Sequence, residues 1–252
     1  MLIEERKKII LEQLEREEIV KTSDLIVVLN SSESSVRRDL ALLEEEGLLR
    51  RIHGGAKKIT PLNYESNMEE KSSKNVQKKK DIANFALSFL KENDVVFIDA
   101  GSTTHFLVKK IAETLPKIQV VTNSIHHAVI LAEVGIPVTI LGGQVKLTTD
   151  AVVGATASQQ ISQYQLNVSF LGINGIDEKF GYTTPDPEEA SIKQQIIQQS
   201  QKTYVLADET KFENVAFVRV AKLEAAEILT DRISNEMKEK IEKETKVYTL
   251  LN

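Results

Sequence analysis

The sequence predicts an α/β protein in two parts: three short helices with a β-hairpin, then a parallel sheet covered by helices. Three features carry that expectation. Over the first 58 residues apolar side chains recur at helical spacing and then give way to a glycine-centred hairpin. From about residue 81, short apolar runs alternate with amphipathic stretches, the pattern of a sheet buried on both faces. Between them, residues 61–80 are polar and lysine-rich and read as a linker. The expected organisation is therefore a domain over 1–60, a linker over 61–80 and a second domain over 81–252, and 252 residues suffice for both.

The first helix is expected over roughly 4–15, with Ile9, Ile10 and Leu14 on one face. Thr22 suits the N-cap of a second helix over 23–29, and Asn30 suits the left-handed residue that turns its end. Ser32 caps a third helix, 33–46, in which Val36, Leu40 and Leu43 form a single apolar stripe before Gly47 stops it. Residues 48–52 and 56–59, joined at Gly54-Gly55, make the hairpin. In the second part, strands are expected at 95–100, 118–123, 137–141, 168–173, 203–208, 227–231 and 246–251.

Composition narrows the function. With 41% hydrophobic and 27% charged residues, the chain is globular rather than disordered. Cysteine is absent, which excludes disulfides and thiolate chemistry, and the four histidines, at 53, 105, 126 and 127, do not have zinc-site spacing. His126 and His127 read as surface or packing residues. The opening MLIEERKKII is not a signal peptide, and no run of about 18 apolar residues occurs, so a cytoplasmic protein with no membrane partner and no cofactor is expected. The net charge is −5, divided as +1 over residues 1–80 and −6 over the rest, so a nucleic-acid surface requires local clustering of basic groups.

Such a cluster exists. The third helix exposes Ser34, Ser35, Arg37, Arg38 and Ala41 after a capped helix and a tight turn, the logic of a helix-turn-helix. Arginine makes paired hydrogen bonds to guanine, and Arg37 and Arg38, about 100° apart on the helix, divide base and backbone contacts between them. A solvated face balancing Glu44, Glu45 and Glu46 is the alternative. Against it stands the hairpin, whose Arg50, Arg51, His53, Lys57 and Lys58 make a basic wing suited to phosphates. The stretch SSVRRDLALLEEEGLLRRIHGGA, 34–56, resembles the winged helix at the start of the DeoR family of bacterial transcription regulators. That resemblance implies operator DNA as a partner and, usually, repression. It gives groove contacts to Ser34, Ser35, Arg37 and Arg38, and backbone contacts to Arg50, Arg51 and His53.

The second part carries an anion-binding pattern. The strand VVFIDA runs into Gly101, Ser102, Thr103 and Thr104 at a helix start, where hydroxyls, amides and the helix dipole suit a phosphate. A plain N-cap is the alternative reading, since no Walker lysine follows. Asn123, Gly143, Lys146, Asn174, Asp177 and Lys211 also follow strands, and parallel strands bring their carboxyl ends to one edge. Lys146 and Lys211 suit a phosphate, and Asn174 and Asp177 suit sugar hydroxyls.

This half too resembles the DeoR family, whose sensor domain looks like ribose-5-phosphate isomerase. The matching stretches are IDAGSTT, VTNS, LGGQVK, FLGINGID, PDPEEASIK and LADETK. The resemblance adds Asp99, Glu189 and Lys193 to the candidate effector contacts, beside Asn174, Asp177 and Lys211. VTNSIHHAV, GGQVKLTTDA and YTTPDPEEASIK look like the fructose-operon repressors of Gram-positive bacteria, which implies fructose 1-phosphate as effector. The expected function is a homo-oligomeric repressor, dimer or tetramer, that responds to a phosphosugar. The alternative is an isomerase-like enzyme with a DNA-binding appendage, in which Glu189 is the general base and Lys211 stabilises the enediolate.

Overall fold

The computed structural model of the chain describes residues 2–52, 54–114 and 116–250, and these divide after Pro61 into two units. The first comprises α1 (Ile3–Glu17), β1 (Ile19–Lys21), α2 (Thr22–Val28), α3 (Glu33–Glu45), β2 (Leu49–Ile52) and β3 (Gly55–Lys58). Ile10 and Leu14 of α1, Leu25 and Leu29, Val36, Leu40 and Leu43 of α3, and Leu49 meet in one buried cluster, so the apolar stripes close on each other. Asn30 adopts the left-handed conformation, with φ of +44°, and the Ser32 hydroxyl accepts the Ser35 amide at 3.3 Å.

Two local expectations are revised. β1, too short to show periodicity, joins the hairpin in the antiparallel order β1-β3-β2. As a result Thr22 is the first residue of α2 rather than its cap, and its amide donates to the Gly54 carbonyl at 2.8 Å. Asp39, in the middle of the VRRDL motif, faces inward. Its carboxylate accepts from Arg6 Nε at 2.6 Å and from Nη2 at 2.9 Å, a forked pair that ties α1 to α3.

The second unit begins with α4 (Met68–Ser73) and α5 (Val76–Leu87), so residues expected as a solvated linker are folded. The lysines found there serve the fold. Lys79 is buried with its ammonium on the Lys71 carbonyl, Lys71 pairs with Glu65, and Lys78 reaches Glu209 at 2.7 Å. The chain continues through β4 (Val95–Ile98), α6 (Ser102–Thr114), β5 (Gln119–Thr122), α7 (Ile125–Glu133), β6 (Val138–Ile140), β7 (Gln144–Lys146), β8 (Ala151–Val153) and α8 (Ala155–Ile161). Then come β9 (Leu166–Gly172), β10 (Gly175–Asp177), β11 (Gly181–Thr184), α9 (Pro187–Gln199), β12 (Ser200–Leu206), β13 (Val218–Ala221), β14 (Glu227–Thr230), α10 (Asn235–Ile241) and β15 (Val247–Thr249). No described helix is long and apolar enough to cross a membrane.

Among the described residues the main sheet is seven-stranded and parallel, in the order β15-β14-β12-β9-β4-β5-β6. Side chains alternate between its faces. Phe97, Leu171, Val205 and Ile228 enter one core, and Val96, Ile98, Phe170 and Leu206 enter the other. From β4 the chain moves outward through β5 and β6, then returns to place β9 on the opposite side of β4. That reversal opens a crevice at the carboxyl ends of β4 and β9. Loops expected after the third and fourth strands are in part short strands: β7 pairs with β8, and β10, β11 and β13 form a separate antiparallel sheet.

His127 on α7 is buried and stacked on His105 at 5.7 Å between ring centroids. Burial, then the charges of His105 and His126, push its imidazole from 6.5 down to about 3. The fold thus holds His127 neutral while the unfolded chain takes up a proton below 6.5, so stability falls as pH drops through that value. Urea denaturation at pH 7 and pH 5 is expected to show about 2 kcal/mol of loss from this group. In His127→Gln that part of the pH dependence is expected to vanish.

Candidate functional site

On α3, Arg37 and Arg38 are both exposed. Arg37 pairs with Glu33 one turn earlier at 2.6 Å, whereas Arg38 makes no hydrogen bond or ion pair among the described residues. An exposed pair of this kind contributes little and separates readily, so both guanidinium groups can reach a groove. Ser34 and Ser35 hydroxyls each lie 3.0 Å from the capping Ser32 hydroxyl, which places all three at the helix start. On the wing, Arg50 and Arg51 of β2 are exposed, and the Arg51 amide is held by Glu44 at 2.8 Å. His53 lies outside the described residues. Of Lys57 and Lys58, read as wing cations, Lys57 is buried, whereas Lys58 makes an exposed pair with Glu15 at 2.5 Å.

In the second unit the crevice is organised around Asp99, the residue after β4. Its carboxylate pairs with the Lys193 ammonium from α9, accepts the Gly172 amide at the end of β9 at 3.1 Å, and accepts the Asn123 side-chain amide at 3.3 Å. Asn123, following β5, uses its carbonyl oxygen to hold the Ala100 amide at 2.7 Å. The side chains of Asp99 and Lys193 are only 1% and 4% exposed. Burial pushes the Lys193 ammonium down, but Asp99 and Glu189 more than offset it, so it stays protonated with a raised pKa.

One turn earlier on α9, Glu189 accepts from Lys146 at 3.0 Å and from the Thr149 hydroxyl at 2.7 Å. Lys146 also lies 3.0 Å from Asp186, which caps α9 through the Glu188 and Glu189 amides with Pro187 in the first turn. Burial pushes the Glu189 carboxyl up, yet Lys193, Lys146 and Thr149 hold it below the ordinary value of 4.5. Asn174, beyond β9, accepts the Thr184 hydroxyl at 3.1 Å and donates to Glu65 at 3.1 Å. Gly101, Ser102, Thr103 and Thr104 open α6, where the Gly101 carbonyl accepts the Thr104 hydroxyl at 2.9 Å.

These contacts join Asp99 with Asn123 and Lys193, Glu189 with Lys146, and Asn174 with Glu65, and three expected residues stand apart from them. One oxygen of the Asp177 carboxylate holds the β10–β11 turn, accepting the Lys179 and Phe180 amides at 2.9 and 3.0 Å. Gly143 answers a packing need: a Cβ there would stand 2.5 Å from the Val153 carbonyl oxygen. Lys211 sits beside Asp208; burial pushes that carboxyl up, and Lys211 and Thr210 bring it below its ordinary value. Sequence reasoning missed Glu65, Lys71, Thr149 and Asp186 as members. Thr149 and Asp186 lie inside motifs already singled out, whereas Glu65 and Lys71 fall in the stretch expected as linker and carry no local signal.

Comparison with known proteins agrees with this two-part layout. Residues 6–61 match the DeoR-like helix-turn-helix domain, and residues 74–232 match the DeoR C terminal sensor domain. The uncharacterized HTH-type transcriptional regulator FruR of Bacillus subtilis is 44% identical, across 91% of each chain. The lactose phosphotransferase system repressor of Staphylococcus epidermidis is 33% identical over 91% of this chain and 92% of its own. The HTH-type transcriptional repressor GlcR of Bacillus subtilis is 30% identical over 94% and 91%. Among solved structures, ribose 5-phosphate isomerase A of Methanocaldococcus jannaschii overlaps 55% of each chain at a TM-score of 0.41 and 17% identity.

Removing one partner of a buried ion pair leaves the other charge uncompensated. Lys193→Met is therefore expected to lower the unfolding free energy of the second unit by about 3–5 kcal/mol. Adding Asp99→Asn removes the stranded charge and is expected to recover much of that loss, as read by urea denaturation.

Proposed function

The chain belongs to the DeoR family, and on that premise we propose that it is a DNA-binding repressor of a sugar-utilisation operon, released from its operator by a phosphosugar. The observation that carries this reading is the pairing, in one chain, of an exposed arginine face on α3 with a lysine-lined crevice at the reversal of a parallel sheet. Relatives named as transcriptional regulators and repressors, one of them of a lactose phosphotransferase system, support it. Fructose 1-phosphate is the first effector to test, on the strength of VTNSIHHAV, GGQVKLTTDA and YTTPDPEEASIK.

In this reading α3 lies in the major groove. Arg38 makes the base contact, Arg37 joins it on leaving Glu33, Ser34 and Ser35 touch the backbone at the helix start, and Arg50 and Arg51 bind phosphates. The protein acts as a dimer or tetramer whose symmetry is mirrored in operator half-sites. The effector's phosphate meets Lys146 and the start of α6 at Gly101–Thr104, and its hydroxyls meet Asn123 and Asn174. Release follows because the effector binds the DNA-incompetent arrangement more tightly. Relatives named as repressors, together with the Lys146 and Thr149 contacts that occupy Glu189, favour this reading over an isomerase.

Fluorescence anisotropy on DNA from the protein's own promoter region tests both halves. Arg38→Ala is expected to cost about 1–3 kcal/mol and relax sequence preference, whereas Arg50→Ala weakens all sequences alike and reduces the salt slope by about 1. Fructose 1-phosphate is expected to release the operator where fructose 6-phosphate does not. Lys146→Ala is expected to keep operator binding and lose that release. Absence of any preference for promoter DNA overturns the repressor reading. Specific binding that no phosphosugar disturbs overturns the effector.

A further inference from the structure

Glu65 stands four residues beyond Pro61, in the stretch that leads out of the N-terminal unit. Its composition suggests solvent, yet the side chain is only 9% exposed. One carboxylate oxygen, Oε1, accepts from the Lys71 ammonium and from the Asn174 amide at 3.1 Å. The other, Oε2, is buried without a hydrogen bond, 3.8 Å from the Lys146 ammonium. The backbone is pinned on either side: the Phe217 amide donates to the Leu62 carbonyl at 2.9 Å, and the Met68 amide donates to the Thr148 carbonyl at 3.1 Å.

The charges in the crevice give this arrangement a consequence. Glu65, Asp99, Asp186 and Glu189 face Lys71, Lys146 and Lys193, so carboxylates already outnumber the ammonium groups they pair with. A phosphate monoester carries between about 1.5 and 2 further negative charges at neutral pH. Its entry is favoured where negative charge leaves. Asp99 is locked by Lys193 and the Gly172 amide, Glu189 by Thr149 and Lys146, and Asp186 by the amides of the α9 start. Glu65 lies on no helix or strand, and its unsatisfied oxygen regains hydration on leaving.

We propose that Glu65 is an internal ligand of the effector crevice: its carboxylate engages Lys71 and Asn174 and stands beside Lys146 until an effector, with its phosphate on Lys146 and a hydroxyl on Asn174, displaces it. The inference rests on the reading of the crevice as a phosphosugar site. Displacement frees residues 62–67, the segment continuous with the DNA-reading unit, and so converts ligand binding into a change in the connection between the units. Effector affinity is then lowered by the fraction of molecules in which Glu65 is in place.

The test is titration calorimetry of the full chain with fructose 1-phosphate and, separately, inorganic phosphate, alongside amide hydrogen exchange. Glu65→Gln keeps size and one acceptor oxygen while removing the charge, and is expected to bind both anions about tenfold more tightly. Glu65→Ala is expected to move in the same direction. In the wild-type chain, saturating fructose 1-phosphate is expected to speed exchange at the Met68 and Phe217 amides. Unchanged or weaker affinity in both variants, or slower exchange at those amides, overturns the proposal. If wild-type binding is abolished by Lys146→Ala but unmoved by either Glu65 substitution, the crevice reading survives and the internal ligand does not. If the wild-type chain binds neither anion, both fall.

Discussion

A lysine ammonium and an aspartate carboxylate, both nearly sealed from water, meet where β4 and β9 diverge, and much of the C-terminal unit serves to keep them charged. Neither ion is tolerable there without the other. Asp99 is supplied by the end of β4 and Lys193 by the middle of α9, so their pairing fixes that helix against the carboxyl edge of the sheet. The Gly172 amide and the Asn123 side chain complete the carboxylate's hydrogen bonds and bring the ends of β9 and β5 to the same point. Glu189, one turn away on α9, extends the network to Lys146 and Thr149 around the β7–β8 hairpin. The crevice is thus bounded by charges that must stay matched, and any anion entering it competes with carboxylates already present.

The N-terminal unit handles charge in the opposite manner. Its forked contact between the partly exposed Arg6 and the buried Asp39 locks α1 against α3 and turns the arginines of α3 outward. Arg38 has no partner among the described residues, and Arg37 has one exposed neighbour that is easily exchanged. Orienting the helix with one inward carboxylate while leaving its cations outside reconciles a net charge of −5 with a nucleic-acid surface. Lys57, by contrast, is buried in its own unit.

Several features were legible from residues alone, and the misreadings share one cause. The α3 stripe of Val36, Leu40 and Leu43, the left-handed Asn30 and each expected strand of the parallel sheet follow from local periodicity and local conformational preference. The segment 61–80 was misread because lysines usually signal solvent, whereas Lys71, Lys78 and Lys79 meet oxygens supplied from elsewhere in the unit or from their own helix pair. The turn contacts of Asp177 escaped local reading because a carboxylate after a strand suits a sugar hydroxyl as well as a turn, and only the β10–β11 hairpin brings the Lys179 and Phe180 amides to it. β1 escaped notice since three residues show no period.

By itself the sequence determined the two-part α/β architecture, the helix that presents Arg37 and Arg38, and the set of strand ends from which the crevice is built. Those properties depend on spacing along the chain and on motifs a few residues long. Only the tertiary structure decided which cations remain free, which carboxylates are committed, and that Glu65 reaches the crevice across 109 positions to Asn174. Ion pairing and burial are set by residues brought together from distant segments, and no local pattern records that meeting.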